Sequence, residues 1–550
     1  MSSPWHPREV AALLVRLAPA LCRLAAYVAF ALVCAPFLYH LARGSAAYLG
    51  LLEDDYFYYA IVADKLFTLG KLTYDGTTLT NGFHPLWFAI LAVLRAVFGR
   101  FGPTFYVALT VVSFAAMVAT FELGRRFARE LGASSALAAA IAAVYSVGTA
   151  KLLTSGMEAV VAVPLFLSFL VEVARPGPVT PRRAAKVGLI ASLAILGRLD
   201  LAMAVALLTV GYVILVRPPL ALFARLLVAF CAGGVLVPLY AGANLLFFGS
   251  AVPVSALAKQ LLVGWGFNVT YAKRVALGTV YGPTVAVVLP LGLLALVLLV
   301  ARGPRARPAA RFAGGLALVF AFTFWALNAR TGWIFFGWYA YPMATATVAA
   351  LAFICERWAP RARGRVAATL AVAALVALVP VVAARYYVHH GPRWSVADNP
   401  LLAMSYDLAS QVRGRQGLFA MGAIAGVATY VLDKPVLQLE GIIADHRLLE
   451  HIRREDPLDE VLRAYQVAYL VVSLSGEAVP RHDGCYPLSE PSAEWAGPWS
   501  AKMRGEICAE PITRFVTPRG TNPWSRFSAI ETLVWDVRHA QWRRPPRRAP

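Results

Sequence analysis

Three acidic residues in a row, Glu53-Asp54-Asp55, followed at once by Tyr56-Phe57-Tyr58-Tyr59, are the strongest chemical signal in the chain. Adjacent carboxylates just after an apolar run are costly at a membrane surface and need a reason to be there. One reason is chemical: a carboxylate can act as general base on an acceptor hydroxyl, with a metal or a second carboxylate tuning its pKa. The other is structural, because an acidic first turn interacts favourably with a helix dipole. Consecutive helical residues point about 100° apart, so Asp54 and Asp55 need not face the same substrate. Carboxylate oxygens, here Asp54, Asp55 and Glu158, also suit a divalent cation such as magnesium, manganese or calcium, and the sequence leaves that cofactor open. The chain has no Cys/His cluster with zinc spacing, no Gly-Lys-Ser/Thr phosphate loop and no Gly-x-Ser-x-Gly elbow. A nucleotide-driven pump and a serine hydrolase are therefore unsupported.

The elements that must position these residues are membrane helices. Of 550 residues, 59% are hydrophobic and only 15% charged, against about 25% charged in soluble chains. Long apolar runs occupy 24–42, 104–123, 201–216, 285–301, 313–328, 334–355 and 367–384. About 20 helical residues cross the roughly 30 Å hydrocarbon layer, and these runs lack the polar stripe of a soluble core helix. We expect about ten to twelve spans. The segment 85–99 is short and carries Arg95, so we expect it to be only partly inserted. Gly233-Gly234 and Gly314-Gly315 interrupt two of the runs.

The net charge of +21 sits in short connections between apolar runs, as in Arg125-Arg126, Arg182-Arg183 and Arg361 to Arg365. Lys and Arg collect on the cytoplasmic side, so this charge is topological. No nucleic-acid-binding module accompanies it. The first apolar run follows Arg8, Arg16 and Arg23 and continues past signal-peptide length. Residues 1–43 read as a basic N-terminus and a retained first span, 44–83 as an outward-facing loop, and 84–388 as the multi-span region. From 389 to 540 the apolar runs shorten to strand length, as in Gly417–Met421 and Val467–Val472, around a charged helical stretch at 444–465. This alternation predicts a small extracytoplasmic α/β domain, with 541–550 a basic, disordered tail. Cys485 and Cys508 lie in this polar part and would pair in an oxidising compartment, or else remain free thiols.

Further motifs follow the acidic pair in order. Thr80-Asn81-Gly82-Phe83-His84-Pro85-Leu86-Trp87 opens an apolar run, Gly156-Met157-Glu158 precedes another, and Gly197-Arg198-Leu199-Asp200 lies beyond. Then come Phe248-Gly249 through Pro253 to Lys259, Trp338-Tyr339-Ala340-Tyr341-Pro342, and Gln438-Leu439-Glu440-Gly441 with Asp445. The ordered set resembles the GT-C glycosyltransferase superfamily, with its nearest likeness to proteins similar to the mycobacterial terminal arabinofuranosyltransferases. More distantly, it is similar to protein O-mannosyltransferases and aminoarabinose lipid A transferases. Leu199 stands where that pattern has Pro, and Val254-Ser255 where it has Asn-Thr.

The resemblance implies an α-helical polytopic membrane protein with a GT-C-like fold in the cell (inner or plasma) membrane. It would take a sugar from a polyprenyl-phosphate donor, on the extracytoplasmic face, to a glycan, lipid or protein acceptor. It assigns Asp54 as base, Asp55 as its supporting neighbour and Glu158 as a supporting or acceptor-binding carboxylate. Asn81 belongs to the substrate-binding motif. Arg198 and Lys259 are candidates to receive the departing phosphate, and His84 to donate a hydrogen bond. Arg198 has a structural alternative as the partner of Asp200, Lys259 as a snorkelling side chain and His84 as a helix cap. Trp338, Tyr339 and Tyr341 would stack on sugar faces or belong to the interfacial aromatic belt. Two other readings stand beside this one: a transporter or flippase of lipid-linked substrates, which predicts internal repeats and Gly/Pro-broken helices, and a catalytically degenerate scaffold.

Overall fold

The computed structural model describes residues 7–43, 46–261, 307–330, 337–358, 399–475, 481–492, 500–518 and 529–543. The runs expected at 285–301 and 367–384, part of the run at 334–355, and residues 544–550 of the basic tail lie outside the described residues. Among those described, four helices are long and apolar enough to cross a membrane: Arg16–Ala42 within α1 (Pro7–Ala42), α4 (Pro103–Glu130), α5 (Ser135–Thr154) and α12 (Pro308–Asn328). Shorter apolar helices accompany them at α3 (Pro85–Phe98), α6 (Ala159–Ala174), α8 (Leu201–Val216) and α13 (Tyr341–Trp358). The chain is a multi-pass, mostly helical membrane protein with a small C-terminal sheet region.

Local sequence sets the helix ends. Ser134 caps α5 by accepting the Leu137 N–H, and Thr180 caps α7 (Pro181–Gly197) by accepting that of Arg183. Pro85, Pro103 and Pro308 begin their helices where a missing N–H costs nothing. The helix α2 (Asp54–Leu69) starts on the two aspartates without a side-chain cap and stops at left-handed Gly70.

The awkward segment becomes α3, whose 14 residues span about 21 Å at 1.5 Å per residue, too little to cross the hydrocarbon layer. Arg95 is not stranded, because it meets Asp64 of α2 at 2.8 Å. Of the two glycine pairs, only the first breaks a helix. α9 (Leu220–Gly233) and α10 (Leu236–Phe248) meet at a 57° bend, whereas α12 runs unbroken through Gly314-Gly315. The α7–α9 contact is backbone on backbone: a Cβ on Gly188 would lie 2.0 Å from the Phe230 oxygen, and one on Gly233 1.9 Å from the Ala185 oxygen. Small residues permit such an approach where no hydrophobic force holds helices together in lipid.

From Pro400 onward the chain builds an α/β unit. A five-stranded sheet runs in the order β2-β1-β3-β7-β6, using β1 (Leu418–Met421), β2 (Val436–Gln438), β3 (Val467–Ser475), β6 (Thr513–Thr517) and β7 (Ile530–Asp536). β1 is parallel to both β2 and β3, while β7 is antiparallel to β3 and β6. The β1 to β2 crossover contains α15 (Ala425–Leu432), and a parallel pair requires such a crossover. A second antiparallel sheet joins β4 (Tyr486–Glu490), β5 (Met503–Ile507) and β8 (Trp542–Arg543), and a disulfide links Cys485 to Cys508 across it.

Gly233→Val forces a side chain into the α7–α9 contact. We expect it to cost about 1–3 kcal/mol, read as a lower thermal midpoint in detergent; an unchanged midpoint would show that the two helices part without penalty.

Candidate active site

The site is built around a buried charge. Arg198, at the end of α7, is 1% exposed. Its guanidinium donates to Glu158 Oε1 at 2.7 Å and to Asp200 Oδ2 at 2.8 Å. Tyr339 and Tyr341 flank it, each ring centroid 5.0 Å from its Cζ. The Tyr341 hydroxyl donates to Asp200 Oδ1 at 2.7 Å, and that of Tyr59 to Glu158 Oε2 at 3.2 Å. The structure therefore places Arg198 in the paired state that residue spacing allowed, with Glu158 as a second partner that spacing did not reveal.

Lys259 lies at the edge of this cluster, on α11 (Val254–Gln260). It donates to the Tyr339 hydroxyl at 2.6 Å. Tyr339 thus bridges the two cations. Among the described residues Lys259 makes no ion pair, and its charge acts at longer range on Asp55. His84 precedes α3 without capping it. Its Nδ1 accepts the Leu199 N–H at 3.4 Å, and its Nε2 faces Glu158 Oε1 at 3.8 Å. Burial lowers its pKa to about 4, so the imidazole is neutral. Asn81 is buried, and its Oδ1 accepts the Val254 N–H at 2.9 Å, tying the first loop to α11. Trp87 is a core residue whose indole donates to the Gly156 oxygen at 2.9 Å. The Trp338 side chain lies outside the described residues.

The acidic pair divides. Asp54 points to the C-terminal unit, where it accepts the N–H of Val427 at 2.8 Å and that of Gly426 at 3.2 Å in the first turn of α15. A Cβ on Gly426 would fall 2.2 Å from the Asp54 backbone oxygen, so only glycine admits this approach. The same interface carries the Tyr74 hydroxyl to the Ala425 oxygen at 3.0 Å and to Thr429 at 2.7 Å. Asp55 is half-buried and lies one helical turn before Tyr59, so it shares the α2 face that reaches Glu158 and Arg198. Burial, then the Asp54 charge, push its carboxyl up to about 8, and Lys259 pulls the other way. Among the described residues no group of three or more His, Cys, Asp or Glu is disposed to hold a metal ion. With both Asp54 oxygens accepting backbone N–H groups, the pair does not fit a cation.

Several of these partners escaped the sequence reading. Tyr59 reads as one of several interfacial aromatics; its signal is the four-residue spacing from Asp55. Tyr74 and Ala425 lie 351 residues apart, and nothing local joins them.

Two measurements follow from this geometry. Arg198→Met strands Glu158 and Asp200 without their cation and should destabilise by about 3–5 kcal/mol, read in thermal unfolding; a neutral result would mean water reaches the cluster. Asp54→Ala and Gly426→Ala should each lower the thermal midpoint, by about 1–3 kcal/mol for lost or blocked N–H bonds. The double variant should be little worse than either alone, and additive losses would sink the shared contact.

No family profile matches the chain, and no curated protein matches it. Among solved structures, ArnT from Cupriavidus metallidurans bound to undecaprenyl phosphate aligns with a TM-score of 0.50 at 13% identity, covering 96% of this chain and 98% of that one. The apo state of the same protein gives 0.49 at 14% identity, covering 85% and 94%. An oligosaccharyltransferase from Archaeoglobus fulgidus, in complex with zinc and sulfate, gives 0.46 at 11% identity, covering 81% and 67%. At this identity the likeness is one of fold alone. The chain therefore has the GT-C-like polytopic membrane fold.

Proposed function

We propose that the protein transfers a sugar from a polyprenyl-phosphate donor to an acceptor hydroxyl on the extracytoplasmic side, in building an envelope glycan, lipid or glycoprotein. The observation that carries the reading is one buried polar cluster that brings together a carboxylate of raised pKa, Asp55, and a cation, Lys259, that makes no ion pair among the described residues. Asp55 takes the acceptor proton as the hydroxyl oxygen attacks the anomeric carbon. The bond from that carbon to the phosphate oxygen breaks, and Lys259 receives the negative charge growing on the phosphate. A single displacement of this kind inverts the anomeric centre.

The supporting facts also redistribute roles within the motifs. Asp54 is engaged by two backbone N–H groups, so the base is assigned to Asp55 rather than to Asp54. Arg198 is neutralised by Glu158 and Asp200. It holds Tyr339, and through Tyr339 the ammonium of Lys259, so Lys259 is the phosphate receiver and Arg198 a positioning residue. Glu158 is counter-ion to Arg198 rather than an acceptor ligand. The outward orientation is supported by the acidic 53–75 segment and the Arg-rich connections elsewhere.

The test uses full-length protein in nanodiscs with labelled polyprenyl-phosphate sugars, measuring release of polyprenyl phosphate. Asp55→Asn should lose about 10²–10⁴ in rate, while Asp54→Asn, which keeps an accepting oxygen, should lose far less. Equal losses would remove the assignment. Asp55 is inactive while protonated, so kcat/KM should rise with pH through about 8; a limb near 4 would show an unshifted carboxylate.

The bent α9–α10 pair is the feature that a carrier of lipid-linked substrates would share. Lipid-sugar movement across the bilayer that persists undiminished in Asp55→Asn, without donor cleavage by the wild type, would favour that reading.

A further inference from the structure

Gln438-Leu439-Glu440-Gly441 leaves β2 and runs where the C-terminal unit touches three parts of the site. A Cβ on Gly82 would fall 2.2 Å from the Ile442 oxygen, so the loop bearing Asn81 and His84 lies directly against this segment. A Cβ on Gly441 would stand 3.9 Å from that of Ala258, the neighbour of Lys259. On the remaining side, the Leu439 N–H donates to the Met421 oxygen at 2.9 Å. Glu440 therefore sits beside the Gly422–Gly426 stretch that ends on Asp54.

The side chains here are buried and rich in oxygen. Glu440 is 6% exposed, and its Oε2 accepts from Gln438 Nε2 at 2.9 Å. Glu490 of β4 reaches the same place: a Cβ on Gly422 would lie 2.2 Å from its Oε2. At this place two oxygens have no hydrogen-bond partner among the described residues: Gln438 Oε1, on a fully buried residue, and Glu490 Oε2, on one that is 7% exposed. Buried acceptors left unmatched are expensive and rare, and what completes them must bring donors. Burial and the neighbouring carboxylates, Glu490 first and then Asp55 and Asp54, hold Glu440 well above the usual range. Burial pushes Glu490 up to about 8 against the pull of Lys502. Protonated carboxyls both donate and accept, as sugar hydroxyls do.

We propose that Gln438, Glu440 and Glu490 form the wall of an acceptor subsite, which recognises the hydroxyls of a neutral glycan end. The inference rests on the transferase reading above and gives the C-terminal unit a part in choosing the acceptor. An in-line displacement needs the acceptor opposite the departing phosphate. Asp55 marks the acceptor side, and after Glu490 the carboxylates that act most on Glu440 are Asp55 and Asp54.

The experiment measures binding, not turnover. Full-length protein in nanodiscs is titrated with octyl furanosides and octyl pyranosides of neutral sugars and, separately, with undecaprenyl phosphate. Wild type should bind at least one octyl glycoside. Glu440→Ala and Gln438→Met should each weaken it by roughly tenfold, leaving undecaprenyl phosphate binding unchanged. Should Glu440→Ala not fold, Gln438→Met, which keeps volume and charge, decides the matter. The subsite is overturned if no octyl glycoside binds wild type, or if the folded variants bind as wild type does. It is equally overturned if glycoside and undecaprenyl phosphate affinities fall together with the thermal midpoint, the mark of a purely structural cluster. Failure of undecaprenyl phosphate alone to bind wild type would sink the donor assignment while the glycoside arm still reads the wall.

Discussion

A guanidinium that is 1% exposed, in a protein made mostly of apolar helices, constrains everything around it. Removing a full charge from water is affordable only when opposite charges and hydrogen bonds surround it. Arg198 meets this demand with Glu158 from the start of α6, Asp200 from the start of α8, and the faces of Tyr339 and Tyr341 from the approach to α13. Tyr59 then joins α2 to the same carboxylate. One buried ion thus joins α2, α6, the α7–α8 junction and the approach to α13. The position of Lys259 follows from it, because Tyr339 has a fixed face to offer on one side and a hydroxyl on the other.

The second organising contact is the docking of the C-terminal unit on α2. Two adjacent aspartates, rotated by about 100° on a helix, end in different surroundings. Asp54 enters the first turn of α15, where two N–H groups favour its charged form but burial, the larger effect, raises its pKa. Asp55 turns toward the ionic cluster and keeps a raised pKa, because burial and a neighbouring anion outweigh the pull of Lys259. Tyr74 to Thr429, Tyr106 to Tyr430 and Asn399 to the Gly50 oxygen extend the same interface. The α/β unit is therefore part of the wall of the site.

Membrane physics explains the less regular helices. Arg95 on a helix too short to cross would be a liability facing lipid, and Asp64 on α2 removes it. The bend between α9 and α10 leaves backbone groups near Gly234 that need partners, and Ser192 donates to the Gly234 oxygen at 3.0 Å. Gly314 and Gly315 show that the same dipeptide need not break a helix. Gly314 is instead covered by the Phe353 ring, so its lack of a side chain serves packing.

Much was legible from residue order alone. Apolar run length determined the membrane class, because crossing hydrocarbon demands about 20 residues without polar relief. Strand-length runs after residue 400 announced the α/β unit, and the spacing of Arg198 and Asp200 allowed their pairing. What local pattern could not decide was which oxygen each donor would find. Asp54 and Asp55 are chemically identical in sequence, and only the arrival of Gly426 and Val427, some 370 residues later, separates them. Glu158 reads as an available carboxylate until Arg198 arrives, 40 residues on, and neutralises it. Residue type and period are local quantities, whereas the cost of burying a charge depends on everything packed around it, and that environment exists only in the folded chain.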